Sequence, residues 1–330
     1  MTTPFQPARL LGNRHLQTIW GGLLRRRANV PLTQERWVLD DGERLSIHFL
    51  PHQAGRPGVL VLHGLEGSAS ARYVRGLLAC IHAMGWNGAA FDFRSCGAPD
   101  PDATTLPRGL YHAGKTDDLT FVLSRLQKRW SDAPLAGVGF SLGGNLLLKC
   151  LGEAGGQSPV RVAVAISVPF DLAACAAAID GPGFWSLLYR ERFMRTLRAK
   201  ALRYAAVYPD GLDAAAIASC RTFAAYDNHV VARIFGFADA KDYWARSSAS
   251  AYLLAIERPT LLIAGADDPF VPPATLPHEL IARNRHLELA LCQGGGHVGF
   301  VGGSLWRPRY LAEEMTVAFL KQHLEPSPSA

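Results

Sequence analysis

The stretch GVGFSLGGNLLLK, residues 137–149, places a serine between glycines where an apolar run gives way to a helical pattern. Gly139 lies two residues before Ser141 and Gly143 two residues after it, which gives the pattern GxSxG. In a sharp strand-to-helix turn this pattern lifts a serine hydroxyl above the end of a sheet, where the hydroxyl can act as a nucleophile. A tight turn with a helix-capping serine fits the same five residues, so features elsewhere in the chain must distinguish the two.

The composition is that of a globular protein with a large core. The chain has 330 residues, of which 48% are hydrophobic and 19% charged, enough for one large domain with or without an insertion. The net charge of +6 would suit an anionic partner, but no nucleic-acid-binding motif accompanies it, so we expect no nucleic-acid partner. The six cysteines are scattered, with no CxxC pair and no Cys/His cluster at zinc-ligand spacing. This pattern predicts free thiols, and we expect neither a metal nor a cofactor.

The sequence pattern shows neither a secretory signal nor a membrane span. The N-terminal residues MTTPFQPARLLGNRHLQ lack the continuous apolar core of a signal peptide. The longest apolar stretch, residues 160–179, is interrupted by Arg161, Pro169 and Asp171 and would make a poor membrane span. We therefore expect a cytoplasmic protein.

Short apolar runs alternate with longer helical patterns along the chain. The runs predict strands at residues 58–64, 87–93, 134–140, 162–168, 259–265 and 286–292. Helices are predicted at 70–84, 116–130, 142–154 and 273–284. The segments 34–40 and 44–50 predict an antiparallel hairpin at the sheet edge. Such an alternation is typical of an α/β fold with a mostly parallel central sheet flanked by helices.

A long helical stretch separates the fourth of these predicted strands from the fifth. At about ninety residues it is too long for a bare loop. We predict that residues 170–255 form an inserted helical cap on a core of residues 1–169 and 256–325, with residues 1–30 as a docking segment. The following cap residues are expected to give the site an apolar roof: Phe184, Trp185, Leu187, Leu188 and Phe193.

Two later loops supply the partners that a nucleophilic serine needs. Asp267 and Asp268 follow the fifth predicted strand, and His297 follows the last strand after three glycines. A serine hydroxyl is a weak nucleophile at neutral pH, so it needs a base to take its proton and an acid to orient that base. The chain order Ser, Asp, His, each after a strand, is the order found in serine hydrolases of this architecture. We predict a catalytic triad of Ser141, an aspartate and His297.

The spacing of the acid loop favours one aspartate over the other. Asp268 lies three residues after Gly265 and four before Pro272, the GxxDxxxP register usual for this loop in hydrolases of this architecture. Asp268 is therefore the predicted acid of the triad. Asp267 remains the alternative.

A tetrahedral intermediate also needs hydrogen-bond donors for its oxyanion. In this architecture one donor is the backbone N–H of the residue after the nucleophile, which here is Leu142. The second is expected from the loop after the first predicted strand, which reads HGLEG. Within that loop the predicted donor is the backbone N–H of Leu65.

Segments spread over residues 12–300 together resemble one family. They read GNRHLQTIW, HGLEGSASARY, YHAGKTDDL, GFSLGGNLLLK, VAISVPFDL, DNHVVARIFGFADAKDYWARSSA and GGHVGF. The chain resembles the YheT-like α/β-hydrolases, a family related to the eukaryotic α/β-hydrolase domain proteins 1 and 3. The resemblance implies the α/β-hydrolase fold and a serine carboxylic-ester hydrolase whose nucleophile, acid and base fall on Ser141, Asp268 (or Asp267) and His297. It also implies that eukaryotic relatives act on acyl lipids.

The predicted function is hydrolysis of carboxylic esters with medium-chain or lipid-like acyl groups through an acyl-enzyme. A thioesterase or acyltransferase would use the same triad, and a non-catalytic binding protein of the same fold is a further alternative. Hydride transfer is disfavoured because no GxGxxG follows the early strands. A dehalogenase of this fold would need an aspartate where Ser141 stands.

An apolar stripe near the N-terminus has two interpretations. At helical spacing it consists of Leu16, Ile19, Trp20, Leu23 and Leu24, and three arginines follow it. The stripe could dock onto the domain or lie on a membrane surface. Weak peripheral membrane contact through this segment is therefore a second expectation.

Overall fold

The computed structural model describes residues 2–3, 5–98, 109–208 and 211–325. These residues form a nine-stranded sheet with helices on both faces, and a separate two-stranded hairpin. The strands are β1 (Thr2–Thr3), β2 (Thr33–Val38), β3 (Arg44–Phe49), β4 (Gly58–Leu62), β5 (Asn87–Phe91), β6 (Leu135–Phe140), β7 (Val160–Ile166), β8 (Thr260–Gly265), β9 (Leu287–Cys292), β10 (Val301–Gly303) and β11 (Pro308–Tyr310).

The α-helices run from the N-terminal segment to the end of the described chain. They are α1 (Arg14–Ile19), α2 (Arg72–Ala83), α3 (Thr116–Arg129), α4 (Leu142–Ala154), α5 (Leu172–Asp180), α6 (Phe184–Val207), α7 (Ala214–Ser219), α8 (Phe223–Tyr226), α9 (Ala232–Phe235), α10 (Ala240–Ser247), α11 (His278–Arg283) and α12 (Leu311–Leu324). Two short π-helical turns cover Trp20–Leu24 and Asp227–Val231. Short 3₁₀ turns cover Gly155–Gln157, Ala249–Ala255 and Pro273–Thr275.

The sheet has the strand order β1-β9-β8-β7-β6-β4-β5-β3-β2. Its neighbouring strands are parallel except at one edge, where β2 pairs antiparallel with β3 and β3 pairs antiparallel with β5. The predicted α/β fold with a mostly parallel sheet is confirmed, and so is the predicted hairpin at its edge. Parallel strands place their carboxyl ends at one edge of the sheet, which is where ligands bind in such folds.

The central strands are apolar throughout because the sheet is covered on both faces. Every residue of β4, β6 and β8 is buried. Leu60 and Leu62 belong to one core cluster, which includes side chains of α3 and α4. Val59 and Val61 belong to a second cluster, with side chains of α2 and α12. This alternation explains why β4 is a continuous apolar run rather than an alternating one.

Several features of the fold, among them the short edge strand β1, differ from the sequence prediction or were not predicted. The helix predicted at 273–284 is a 3₁₀ turn followed by α11, and Pro277 lies between the two. Proline has no N–H for a helical hydrogen bond and restricts the residue before it, so a continuous helix cannot form there. The prediction also lacked the hairpin β10–β11 and the terminal helix α12.

The segment between β7 and β8 contains α5 to α10. Its longest helix, α6, buries one face, on which Met194, Leu197 and Ala201 lie. Side chains from α5, α6 and α8 also line a cavity that contains Ser141. The boundaries given above for the cap and the core stay predictions.

Candidate active site

Ser141 lies in a sharp turn between β6 and α4. Its backbone has φ 52° and ψ −119°, a conformation that residues other than glycine rarely adopt. The flanking glycines permit this turn because other backbone atoms lie where the Cβ of any other residue would be. A Cβ on Gly139 would stand 2.4 Å from the carbonyl oxygen of Gly143, and one on Gly143 would stand 2.4 Å from that of His63. The turn therefore requires glycine at both positions of GxSxG.

The structure brings Ser141, His297 and Asp268 into one hydrogen-bonded chain. His297 Nε2 lies 2.8 Å from Ser141 Oγ, and His297 Nδ1 lies 2.8 Å from Asp268 Oδ2. Both His297 and Asp268 are buried. The other carboxylate oxygen of Asp268 accepts hydrogen bonds from the backbone N–H groups of Phe270 and Val271, at 2.8 and 3.1 Å. These two bonds fix the carboxylate with Oδ2 directed at the histidine.

The alternative acid, Asp267, lies elsewhere in the loop network. Its Oδ1 accepts a hydrogen bond of 2.9 Å from the backbone N–H of Gly296, which has φ 57°. Burial raises the pKa of this carboxyl. Asp267 thus holds the glycine-rich turn before His297, whereas Asp268 contacts the imidazole itself.

The N-terminal segment supports the loop that carries His297. The backbone N–H of His297 donates to Thr18 Oγ1 at 2.9 Å. Gln17 accepts a hydrogen bond of 2.8 Å from the N–H of Val301 and donates to the carbonyl oxygens of Val301 and Leu11. In the sequence Gln17 and Thr18 stand within GNRHLQTIW, one of the segments that carry the family resemblance. The available signal was the presence of two polar residues, Gln17 and Thr18, inside an apolar stripe.

The two predicted oxyanion donors line the same cavity as Ser141. Within the described part of the chain, neither the backbone N–H of Leu65 nor that of Leu142 donates a hydrogen bond. Two backbone N–H groups that have no partner among the described residues and lie at the same cavity as the serine hydroxyl are available to an incoming oxyanion. Their role as donors stays a prediction.

His63 braces the loop that contains Leu65. Its Nδ1 donates to the carbonyl oxygen of Gly64 at 2.7 Å, and its Nε2 accepts from the backbone N–H of Phe93 at 3.1 Å. Burial lowers the pKa of His63 to about 4. A neutral ring with one donating and one accepting nitrogen satisfies both contacts. His63 is therefore a structural histidine, and both of its ring nitrogens are engaged.

Glu66, next to Leu65, is held by residues from two other segments. Its side-chain Oε1 accepts hydrogen bonds from Tyr111 Oη at 2.8 Å and from Lys200 Nζ at 2.7 Å. Its backbone N–H donates to Tyr111 Oη at 2.8 Å, and its φ is 55°. Lys200 belongs to α6, so this ion pair connects the helical segment to the loop that carries Leu65. Neither Glu66 nor Lys200 was predicted to have a role at the site.

A cavity of about 480 Å³ contains Ser141 and His297. This volume lies within the range of about 300–1,000 Å³ that is typical of small-molecule sites. The helical segment contributes mainly apolar and aromatic side chains, among them Ile179, Tyr189, Phe193, Leu197, Phe223 and Val231.

The predicted apolar roof is wrong for four of its five residues. Phe193 lines the cavity as predicted, but Phe184, Leu187 and Leu188 are exposed and do not. Trp185 instead stacks on the ring of His15, with ring centroids 4.5 Å apart. The first turns of α6 contact His15 of α1 through Trp185 and Tyr189, and of their side chains Tyr189 lines the cavity.

The described residues show no sign of a metal site or of a membrane-spanning helix. Across residues 2–3, 5–98, 109–208 and 211–325, no cluster of histidine, cysteine, aspartate or glutamate side chains could hold a metal ion. In the same ranges no helix combines the length and apolarity needed to cross a bilayer. All six cysteines are free thiols, as predicted.

Comparison with known proteins places the chain in a family. Residues 57–304 match the family described as alpha/beta hydrolase fold. The candidate esterase YheT of Escherichia coli (strain K12) is 37% identical over 97% of this chain and 94% of its own length. The human Phospholipase ABHD3 is 28% identical over 76% of this chain and 60% of its own length. The chain belongs to the α/β-hydrolase family and, within it, to the YheT-like group.

Solved structures agree with that fold. The esterase Pf2001 of Pyrococcus furiosus is similar with a TM-score of 0.59 at 19% identity, covering 98% of this chain and 99% of that one. At this identity the likeness shows the fold alone. Sequence relatives of the chain are named as an esterase and as a monoacylglycerol lipase, so the family to which the chain belongs is of the esterase/lipase type.

Proposed function

We propose that this protein is a serine hydrolase that cleaves carboxylic esters, with Ser141 as nucleophile, His297 as base and Asp268 as the orienting acid. The observation that carries the proposal is the hydrogen-bonded chain from Ser141 Oγ through the imidazole to the Asp268 carboxylate, with 2.8 Å at each link. This chain lies at the wall of an apolar cavity. The relatives named as esterase, phospholipase and monoacylglycerol lipase support the same reaction class.

The geometry suggests how the first half of the reaction proceeds. His297 Nε2 takes the proton of Ser141 as Oγ bonds to the ester carbonyl carbon, and the carbonyl electrons move onto the oxygen. The N–H groups of Leu65 and Leu142 are the proposed donors to that oxyanion. The carbon–oxygen bond to the alcohol then breaks, and His297 gives its proton to the departing oxygen. An acyl group remains on Ser141.

Water completes the cycle by the same route. His297 takes a proton from water while the water oxygen attacks the acyl carbon, and the resulting intermediate releases the carboxylic acid and restores the Ser141 hydroxyl. The Asp268 carboxylate keeps the imidazole proton on Nδ1 and stabilises the cation that forms in each half.

The proposed substrates carry medium-chain or lipid-like acyl groups. Phe193, Leu197 and Phe223 line the cavity and can bury methylene groups. Each buried methylene contributes about 0.8 kcal/mol at most, which corresponds to about fourfold in kcat/KM. Specificity should therefore rise with chain length until the cavity is full.

The test is kcat/KM for p-nitrophenyl esters with acyl chains of two to sixteen carbons. We expect a rise from acetate to a medium-chain optimum and loss of activity in Ser141→Ala. Ser124→Ala, which removes an exposed hydroxyl on α3, is the matched control and should behave as wild type. A steady decline from acetate onward would rule out the acyl pocket, and an active Ser141→Ala protein would rule out the serine mechanism.

A further inference from the structure

The N-terminal segment buries several polar side chains and exposes most of its leucines, with Leu11 as the buried exception. His15, Gln17 and Thr18 are buried, and the last two hold the loop of His297. Its large exposed apolar side chains are Leu10, which is 74% exposed, and Leu16, Leu23 and Leu24, which are 41–59% exposed. Docking on the domain therefore explains the polar residues of this segment but leaves Leu16, Leu23 and Leu24 exposed.

A second group of exposed apolar side chains lies beside the first. At the start of α6, Phe184 is 71% exposed, Leu187 49% and Leu188 46%. The two segments contact each other, because the ring of His15 stacks on Trp185. We call six of these exposed residues the apolar rim: Leu16, Leu23, Leu24, Phe184, Leu187 and Leu188.

The apolar rim borders the cavity that holds Ser141. Ile19, Gly22 and Leu23 of the N-terminal segment line that cavity, and so does Tyr189 from the first turns of α6. Large exposed apolar side chains grouped at the edge of a cavity are typical of a binding surface. Because the apolar rim lies at the cavity, we expect the partner that binds the rim to contain the substrate as well.

The charge around the apolar rim distinguishes the occupants. Arg14, Arg26, Arg27 and Arg192 are exposed, and within the described ranges no ion pair joins any of them to a carboxylate. A second copy of the chain packed on this face would bring like charges together. A bilayer with anionic headgroups offers both an apolar layer for the leucines and negative charge for the arginines.

We propose that the apolar rim rests on the surface of an anionic bilayer, with its leucines and Phe184 among the headgroups and upper acyl chains. If the proposed ester hydrolysis is correct, substrates dissolved in the bilayer reach Ser141 from the lipid side. The binding itself does not depend on that reaction, so it is measured in the Ser141→Ala protein.

The test is co-flotation of the Ser141→Ala protein with vesicles. We expect binding to vesicles of phosphatidylcholine with phosphatidylglycerol, and much weaker binding to phosphatidylcholine alone. Adding Leu24→Ser, Phe184→Ser and Leu188→Ser should lower the partition coefficient by about 100-fold, at about fivefold for each half-exposed side chain. The matched control combines Val38→Ser and Leu254→Ser, which are 54% and 47% exposed elsewhere, and should bind as its parent does.

Two results would overturn the proposal. The first is that the Ser141→Ala protein does not float with the anionic vesicles, or that the triple variant floats with them as well as its parent does. The other is a concentration-dependent dimer that the triple variant loses, with no vesicle binding, which would make the face an interface between copies. The triple variant with Ser141 intact should hydrolyse a soluble short-chain ester as wild type does. If wild type lacks that hydrolysis, the proposed reaction fails, whereas flotation still decides the membrane contact.

Discussion

Replacing Asp268 by asparagine should reduce turnover by about 10⁴ while the protein stays folded. In the structure one oxygen of Asp268 accepts from the N–H groups of Phe270 and Val271, and the other faces His297 Nδ1. An asparagine oxygen can keep the two backbone bonds, which directs its NH₂ group at Nδ1. An NH₂ group can only donate, so the imidazole must carry its proton on Nε2. A protonated Nε2 cannot accept the proton of Ser141.

The expected loss of about 10⁴ corresponds to about 5.5 kcal/mol in the activation barrier. Asp267→Asn is the matched control, because Asp267 is the adjacent aspartate and its carboxylate contacts the backbone of Gly296 rather than His297. Asp267 Oδ1 accepts from the backbone N–H of Gly296, and an asparagine oxygen can accept the same bond. We therefore expect Asp267→Asn to cost less than about tenfold.

The assay is kcat for a soluble p-nitrophenyl ester, with circular dichroism and thermal unfolding of each variant to verify the fold. The reverse ranking of the two variants would move the acid role to Asp267. Small and equal losses in both variants would show that neither carboxylate orients His297, which would refute the role of Asp268.

Two further predictions concern the loop that carries Leu65. Lys200→Met should lower the free energy of unfolding by about 3 kcal/mol, because it leaves the Glu66 carboxylate buried without its cation. Urea unfolding measures this loss, and Lys241→Met, which changes an exposed lysine, is the control. An unchanged unfolding midpoint in Lys200→Met would contradict the prediction. His63 should make stability fall as pH drops from about 6.5 to about 4, because burial lowers its pKa to about 4 and only the unfolded state takes up the proton in that interval. The loss amounts to about 3 kcal/mol in total and should be absent from the His63→Gln protein, so parallel pH profiles of the two proteins would contradict it.

The sheet and the candidate triad could be predicted from sequence because their signals are local. Strands buried on both faces, such as β4, are continuous apolar runs. Ser141 is marked by its glycines, and Asp268 and His297 each follow a strand. That these three residues meet in space follows from the topology, because parallel strands bring their carboxyl ends to one edge of the sheet.

Contacts between distant segments could not be predicted in this way. Nothing in the local pattern connects Thr18 with the loop of His297, or Lys200 with Glu66, because each pair is more than a hundred residues apart. The exposure of the first turns of α6 could not be predicted either, because it also depends on contacts with distant segments. Leu187 lies two helical turns before Met194 on a similar side of α6, yet Leu187 is 49% exposed and Met194 is fully buried. Which turns of a helix meet the core depends on neighbours that the helix sequence does not contain.

The most direct test of the serine mechanism is covalent labelling with a fluorophosphonate, followed by intact mass and peptide mapping. A serine activated by its hydrogen bond to His297 should displace fluoride and retain the phosphonyl group on Oγ. We expect the label on Ser141 in wild type and in Ser124→Ala, and none in Ser141→Ala. Labelling of the Ser141→Ala protein at the wild-type rate would contradict the mechanism, because the reactive group would then lie on another residue.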